Sequence, residues 1–195
     1  MAINVANLKP ANLKAKEVAT VDYVDIGVNN ANAAAATAQS TANAAATDAS
    51  TALTKLSDLA LDNILSAIEK PALIKEYNIL IAEQTGIDAQ ATAYSITTEK
   101  TTYDTAITNL TTYLNGLTTP TAWNVTTGDT SLILASNTPS IFRSKFESVY
   151  TAKQTLLNKI YAQAKALADA AAGTANWTSV SNRPTSLADL NSTDG

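Results

Sequence analysis

The sequence predicts an all-α protein: a long alanine-rich coiled coil, then an antiparallel helical bundle, with non-helical termini. Three observations carry this. Small or apolar residues recur in alternating steps of three and four from Val21 to Leu59, and larger apolar residues keep helical spacing from Leu73 to Ala171. Prolines, glycines and short polar residues gather between 118 and 140 and again after 173.

Residues 1–19 mix Asn, Lys and Ala around Pro10 with neither a helical nor a strand period. They read as an extended attachment arm, the alternative being a disordered terminus. The coiled coil is expected over 20–61, where Thr20 and Asp22 suit a first turn whose amides lack partners. Its seam is Val21, Val24, Val28, Ala31, Ala35, Ala38, Ala42, Ala45, Ala49, Ala52, Leu56 and Leu59. That is an a/d repeat held for over five heptads, along a helix of roughly 60 Å. Most other positions are Asn, Gln, Thr, Ser or more alanine, so one copy alone buries little and the seam calls for partner helices. Each alanine methyl contributes only about 0.8 kcal/mol when buried. A low-complexity linker is the alternative, and the unbroken register argues against it.

The bundle is expected over 62–172. Ser66 and Glu69 have capping-box spacing, with Pro71 in the first turns of the helix that follows. Leu73, Ile74, Tyr77, Leu80 and Ile81 form one face of that helix as far as Gly86, beyond which Ile87 to Ile96 continues the pattern after a bend. A second helix, Glu99 to Leu117, lines up Tyr103, Ile107, Leu110, Leu114 and Leu117 and stops at Asn115-Gly116. Its many threonines lower helix propensity, so packing must hold it. Residues 118–140, with Pro120, Gly128, Pro139 and Trp123, form the long connection, with one short strand at Ser131 to Ala135. From Ile141 a final helix places Phe142, Phe146, Val149, Lys153, Leu156, Ile160, Ala164, Leu167 and Ala171 on a stripe. Lys153 alone interrupts it, its stem lying along the seam. The stripe fades into alanine, which lets this helix rejoin a coiled coil. Residues 173–195, anchored by Trp177, form a turn-rich linker or distal tail.

The chain holds no histidine and no cysteine, which removes the commonest general base, metal ligand and strong nucleophile. No catalytic, cofactor-binding or metal-ligating residue is therefore expected, and the protein is read as a non-enzyme. Glu69, Glu76 and Glu83, seven residues apart, read as a solvated stripe rather than paired acids of a glycosidase. The tyrosines at 77, 94, 103, 113, 150 and 161 read as bundle core rather than a sugar-stacking surface. The net charge of −4, with 13 basic and 17 acidic residues scattered along the chain, disfavours nucleic-acid binding. The first residues lack the apolar core of a signal peptide, and no run of about 18 apolar residues could span a bilayer.

Several stretches resemble a helical module of tailed-bacteriophage proteins. They are Asp62-Asn63-Ile64-Leu65-Ser66 through Glu69-Lys70-Pro71, then Tyr77, Glu83, Ala89-Gln90-Ala91 and Tyr94, and Phe142-Arg143-Ser144-Lys145-Phe146 through Tyr150, Lys153-Gln154 and Leu156-Leu157. The module recurs in tail-tip host-specificity proteins and tail fibres of phages and prophages. The stretch from Trp177 to Leu187 is similar to tryptophan- and proline-containing linkers of tail fibres. The resemblance implies a homotrimeric fibre or tip component in the virion. Its N-terminal arm would join other tail or baseplate proteins, and its distal end would meet a host surface receptor indirectly. It supplies no catalytic residues. The chain is expected to be either a short fibre or a piece of something longer.

Trimerisation rests on this resemblance, since alanine seams also permit dimers and antiparallel packing. Two other readings stand beside it. A bacterial surface adhesin stalk would share the architecture, and a glycan-binding module would show a concave cluster of aromatics and acids.

Overall fold

Helix α1, Pro10–Ser57, accounts for 48 residues. The computed structural model describes the backbone of residues 10–132 and 138–174 and the side chains of residues 26–132 and 138–172. The arm expected over 1–19 is thus helical from Pro10 onward, and its first nine residues lie outside the description. Proline fits a helix's first position because its fixed φ is already helical and no intrahelical acceptor exists there for the N–H it lacks.

The helix stops at Ser57 rather than near Leu61. Ala60 and Asn63 adopt positive φ, 54° and 68°, which no helix continues through. A short strand β1, Ile64–Leu65, follows. Then the chain turns into α2, Lys70–Ala93, with Pro71 in the first turn as the sequence implies. The reciprocal bonds of a capping box are present: the Glu69 carboxylate accepts the Ser66 N–H at 2.8 Å, and the Ser66 hydroxyl accepts the Glu69 N–H at 3.4 Å. They close the turn just ahead of the helix.

Gly86 does not interrupt α2, lying inside a continuous 24-residue helix. Its buried positions are Lys70, Leu73, Leu80, Ile87 and Ala91, whereas Ile81, expected on the inner face, is exposed. Steps of three and four from Leu73 lead to Tyr77 and then Leu80, so Ile81 falls on the outer side.

Helix α3, Thr98–Asn115, buries Tyr103, Ile107, Leu110 and Leu114, and Leu117 is buried just beyond it. Its threonines are accommodated locally. The hydroxyls of Thr101, Thr102, Thr105 and Thr108 each donate to the carbonyl four residues back. Gly116 closes the helix with a right-handed φ of −76°, so it is not the left-handed stop that glycine often supplies.

In the connection, strand β2, Thr130–Ser131, pairs antiparallel with β1, Ile64 opposite Ser131 and Leu65 opposite Thr130. The strand foreseen at 131–135 therefore begins one residue earlier and ends at Ser131, and residues 133–135 lie outside the description. Helix α4, Pro139–Thr174, starts on a Thr138 cap: the Ile141 N–H reaches the Thr138 hydroxyl at 3.4 Å and the Phe142 N–H its carbonyl at 3.0 Å.

The protein is therefore mostly helical. Contacts divide it into two compact units: the chain up to Ala36 together with the chain from Ala164, and Thr37–Gln163. The boundary expected at 61/62, where side-chain size changes, does not separate them; the last 21 residues of α1 belong with the bundle.

Within Thr37–Gln163, hydrogen bonds give the helix directions. Gln84 meets Asp104 and Tyr77 meets Thr111, so α2 and α3 are antiparallel. Glu76 meets Tyr150 and Glu83 meets Lys153, so α2 and α4 are parallel. Gln154 reaches Ala42, while Leu56 and Arg143 line one crevice, so α1 runs antiparallel to α4. Each helix thus reverses the one before it, the up-down-up-down arrangement of a four-helix bundle. The core is Leu56, Leu73, Leu80, Tyr103, Leu110, Leu114, Phe142, Phe146, Val149 and Leu156. In the other unit, Ala35 of α1 and Ala164 and Ala168 of α4 are buried. Leu167, placed on the inner stripe by its spacing, is exposed, and Ala168 takes the buried position.

Candidate functional site

The seam of α1 is the candidate site, and all its described members lose water. Ala35, Ala38, Ala42, Ala45, Ala52 and Leu56 are buried; Val28, Ala31, Ala49 and Leu59 are half-buried. The side chains of Val21 and Val24 lie outside the description.

What covers the bundle part of the seam is the chain's own α4. The Gln154 amide donates to the Ala42 carbonyl at 3.2 Å, an approach that the small Ala42 side chain permits. Leu53 and Leu56 line a crevice with Ser140, Arg143, Ser144 and Glu147. The expectation that copies of the same helix shield this stretch is corrected here: between Ala38 and Leu56 the shield is intramolecular. The physical reason is that an a/d repeat specifies a partner helix at a given spacing, whichever chain supplies it.

A polar layer fixes α4 against α2. Tyr150, 4% exposed, donates its hydroxyl to Glu76 Oε1, and Lys153, equally buried, pairs with Glu83 Oε2. Burial raises the Tyr150 pKa, and the bond to Glu76 raises it further, so the phenol stays protonated. Glu76 and Glu83 therefore do not form a solvated stripe. They are the acceptors that α2 presents to α4, while Glu69 binds backbone in the preceding turn. Lys153 likewise spans to a carboxylate instead of merely laying its stem along the seam.

Asp48, Lys55, Glu76, Glu83, Tyr150 and Lys153 line a crevice of about 250 Å³ between α1, α2 and α4. Its tyrosine and two of its acids are engaged in the bonds just described. Among the described residues, no group of three or more His, Cys, Asp or Glu side chains is placed to hold a metal ion. No described helix is long and apolar enough to cross a membrane.

A second polar group ties α2 to α3. Lys100 bonds Asp104 at 2.6 Å and Asp88 at 3.1 Å, and Gln84 donates to Asp104 at 2.8 Å. Burial alone would raise the Asp104 pKa, but the bonds from Lys100 and Gln84 outweigh it and hold the carboxyl below the usual carboxylate range. Lys100 moves the other way, its pKa raised first by the bond to Asp104 and then by that to Asp88.

Compared with known proteins, the chain matches no family model, no curated protein and no solved structure.

Sequence reasoning missed Gln154, Tyr150 and Lys70 as polar anchors. The first two sit at helical spacing beside apolar positions, where a pattern of hydrophobicity registers only an interruption. Lys70 was visible only as part of a helix start.

Proposed function

We propose that the chain is a structural protein of a tailed-phage virion, a tail-fibre or tail-tip component forming an oligomeric, homotrimeric stalk. Its N-terminal end attaches to other tail or baseplate proteins, and the stalk positions the parts that recognise the host. The phage assignment is supported by the sequence resemblance across 62–94 and 142–157.

The observation that carries the assembly reading is the outer surface of α1. From Gly27 to Ser50 the helix carries a single charged residue, Asp48, and its exposed positions away from the seam include Ser40, Asn43, Ala44 and Thr47. A solvated helix of an ordinary monomer carries charges of both signs on such a face. Small uncharged side chains instead let the backbones of neighbouring copies approach closely. In this reading the inner seam is used within each chain, and the outer face is shared between chains.

Two measurements test the proposal. Light scattering on the purified chain is expected to give three times the chain mass; a monomer across the micromolar range contradicts the stalk. Immunogold electron microscopy with an antibody against the chain is expected to label phage tails. Label on the bacterial surface would instead favour an adhesin stalk.

A further inference from the structure

Lys70 is the most deeply buried cation among the described residues, with no exposed surface, and no carboxylate pairs with it directly. Its ammonium donates to three backbone carbonyls of the connection between α3 and α4: Ala122 at 3.0 Å, Val125 at 2.9 Å, and Gly128. Three protons meet three acceptors, so every N–H of the ammonium has a backbone carbonyl as its partner. Burial lowers the Lys70 pKa, and the nearby Asp129 charge offsets this only in part, while the Asp129 carboxylate accepts the Ala67 N–H at 2.8 Å.

The connection winds around this nitrogen. Ser131 donates its N–H to Thr119 and Thr121 donates its own to Asp129, closing the ends of the segment on each other at 2.8 and 3.1 Å. A Cβ on Gly128 would fall 2.5 Å from the Thr121 hydroxyl oxygen, so a larger residue there would displace the Thr121 side chain. Trp123, 5% exposed, lies in sequence between Ala122 and Val125, which supply two of the coordinating carbonyls, and its ring is edge-on to Tyr77 at 5.1 Å. Carbonyls drawn to one point repel each other unless a cation stands among them.

We propose that Lys70 is a resident cation: its ammonium occupies a carbonyl cage and latches the 117–132 connection onto the start of α2. The cage is therefore a primary-ammonium site, filled in this chain by its own side chain. Losing the ammonium, by substitution or deprotonation, releases the connection while the helices stay formed.

The test uses the full chain in a Trp177→Phe background, so that Trp123 alone reports by fluorescence. In Lys70→Ala, Trp123 emission is expected to shift to the red with a several-fold rise in acrylamide quenching, while the helical circular dichroism at 222 nm is retained. Adding n-propylammonium, which replaces the missing Cγ to Nζ atoms, is expected to restore the blue emission. Tetramethylammonium, which has no N–H, and sodium chloride at equal ionic strength should not.

If Lys70→Ala loses its helices as well, the same additions are made and refolding is read at 222 nm. Recovery with propylammonium but not tetramethylammonium again supports the cage. Failure of propylammonium to act differently from tetramethylammonium overturns the proposal, as does a Lys70→Met chain with native Trp123 emission and quenching.

Discussion

Lys153 on α4 and Glu83 on α2 form an ion pair whose two ends are unequally wet: the lysine side chain is 5% exposed and the glutamate 37%. The two single substitutions are therefore not equivalent. Removing the glutamate strands a buried ammonium, while removing the lysine leaves a carboxylate that water can reach. Glu83→Ala is expected to lower unfolding free energy by about 3 kcal/mol, near the lower end for broken buried pairs. Lys153→Met, which keeps an apolar stem in the same space, should cost about 1 kcal/mol or less. Urea denaturation of both variants checks the order, and equal losses would show that the pair is not desolvated on one side.

Glu69 holds together the segment between α1 and α2. One carboxylate oxygen accepts the Ala60 N–H at 3.0 Å, and the other accepts the Ser66 N–H and hydroxyl, both at 2.8 Å. Ala60 has no exposed surface and a left-handed φ of 54°, a conformation that costs a non-glycine residue about 1 kcal/mol. The carboxylate is what maintains it. Glu69→Ala leaves two part-buried amides without their acceptor and is expected to destabilise by about 2 kcal/mol. Hydrogen exchange provides the local check, since the amides of Ala60 and Ser66 should lose protection ahead of the cores of α2 and α3.

Asp104 makes the α2–α3 pair sensitive to acid. Its folded pKa is depressed below the unfolded value, so its stabilisation is fully present above the usual carboxylate pKa of about 4 and is lost as pH falls through the folded value. Lys100 has the opposite sign. Its folded pKa is raised, so its contribution is present below about pH 10 and disappears as pH rises through the folded value. Both side chains are partly exposed, which limits the effect to about 0.5–1 kcal/mol. Asp104→Asn should flatten the stability profile below pH 4, where the wild-type chain loses this increment. A profile that remains as steep would place the acid sensitivity elsewhere.

Much of this fold is legible in hydrophobic spacing. Tyr103, Ile107, Leu110, Leu114 and Leu117, and likewise Phe142, Phe146, Val149, Leu156 and Ile160, are all buried where their periods put them. The same information is silent about partners. Ala38, Ala42, Ala45 and Ala52 are spaced for a neighbouring helix, and nothing in that spacing distinguishes a second copy from α4 of the same chain. The reversal at Ala60 and Asn63, which turns the chain from α1 into the antiparallel α2, depends on left-handed backbone at residues that are not glycine. Ala60 carries no sequence signal for that conformation, so the sequence shows only where the rod ends. Glu76 and Glu83 were misread for a related reason, because a heptad of acids looks the same whether it faces water or a buried tyrosine and lysine.

Two faces of α1 separate folding from assembly. Ala42 is 1% exposed and packs where Gln154 reaches its carbonyl, so Ala42→Leu forces a larger side chain between α1 and α4 and is expected to cost about 1–3 kcal/mol. Ser40 and Ala44, one helical turn apart on the side away from the seam, meet solvent in the single chain. Converting both to lysine should change the stability of the chain by about 0.5 kcal/mol or less per site, as exposed substitutions do. If neighbouring copies share this face, the same double variant brings like charges together at every contact and drops the mass seen by light scattering to that of one chain. Ala42→Leu, by contrast, should lower the unfolding midpoint with the outer face intact. An oligomer that survives Ser40→Lys with Ala44→Lys would move the assembly contact off this face of α1.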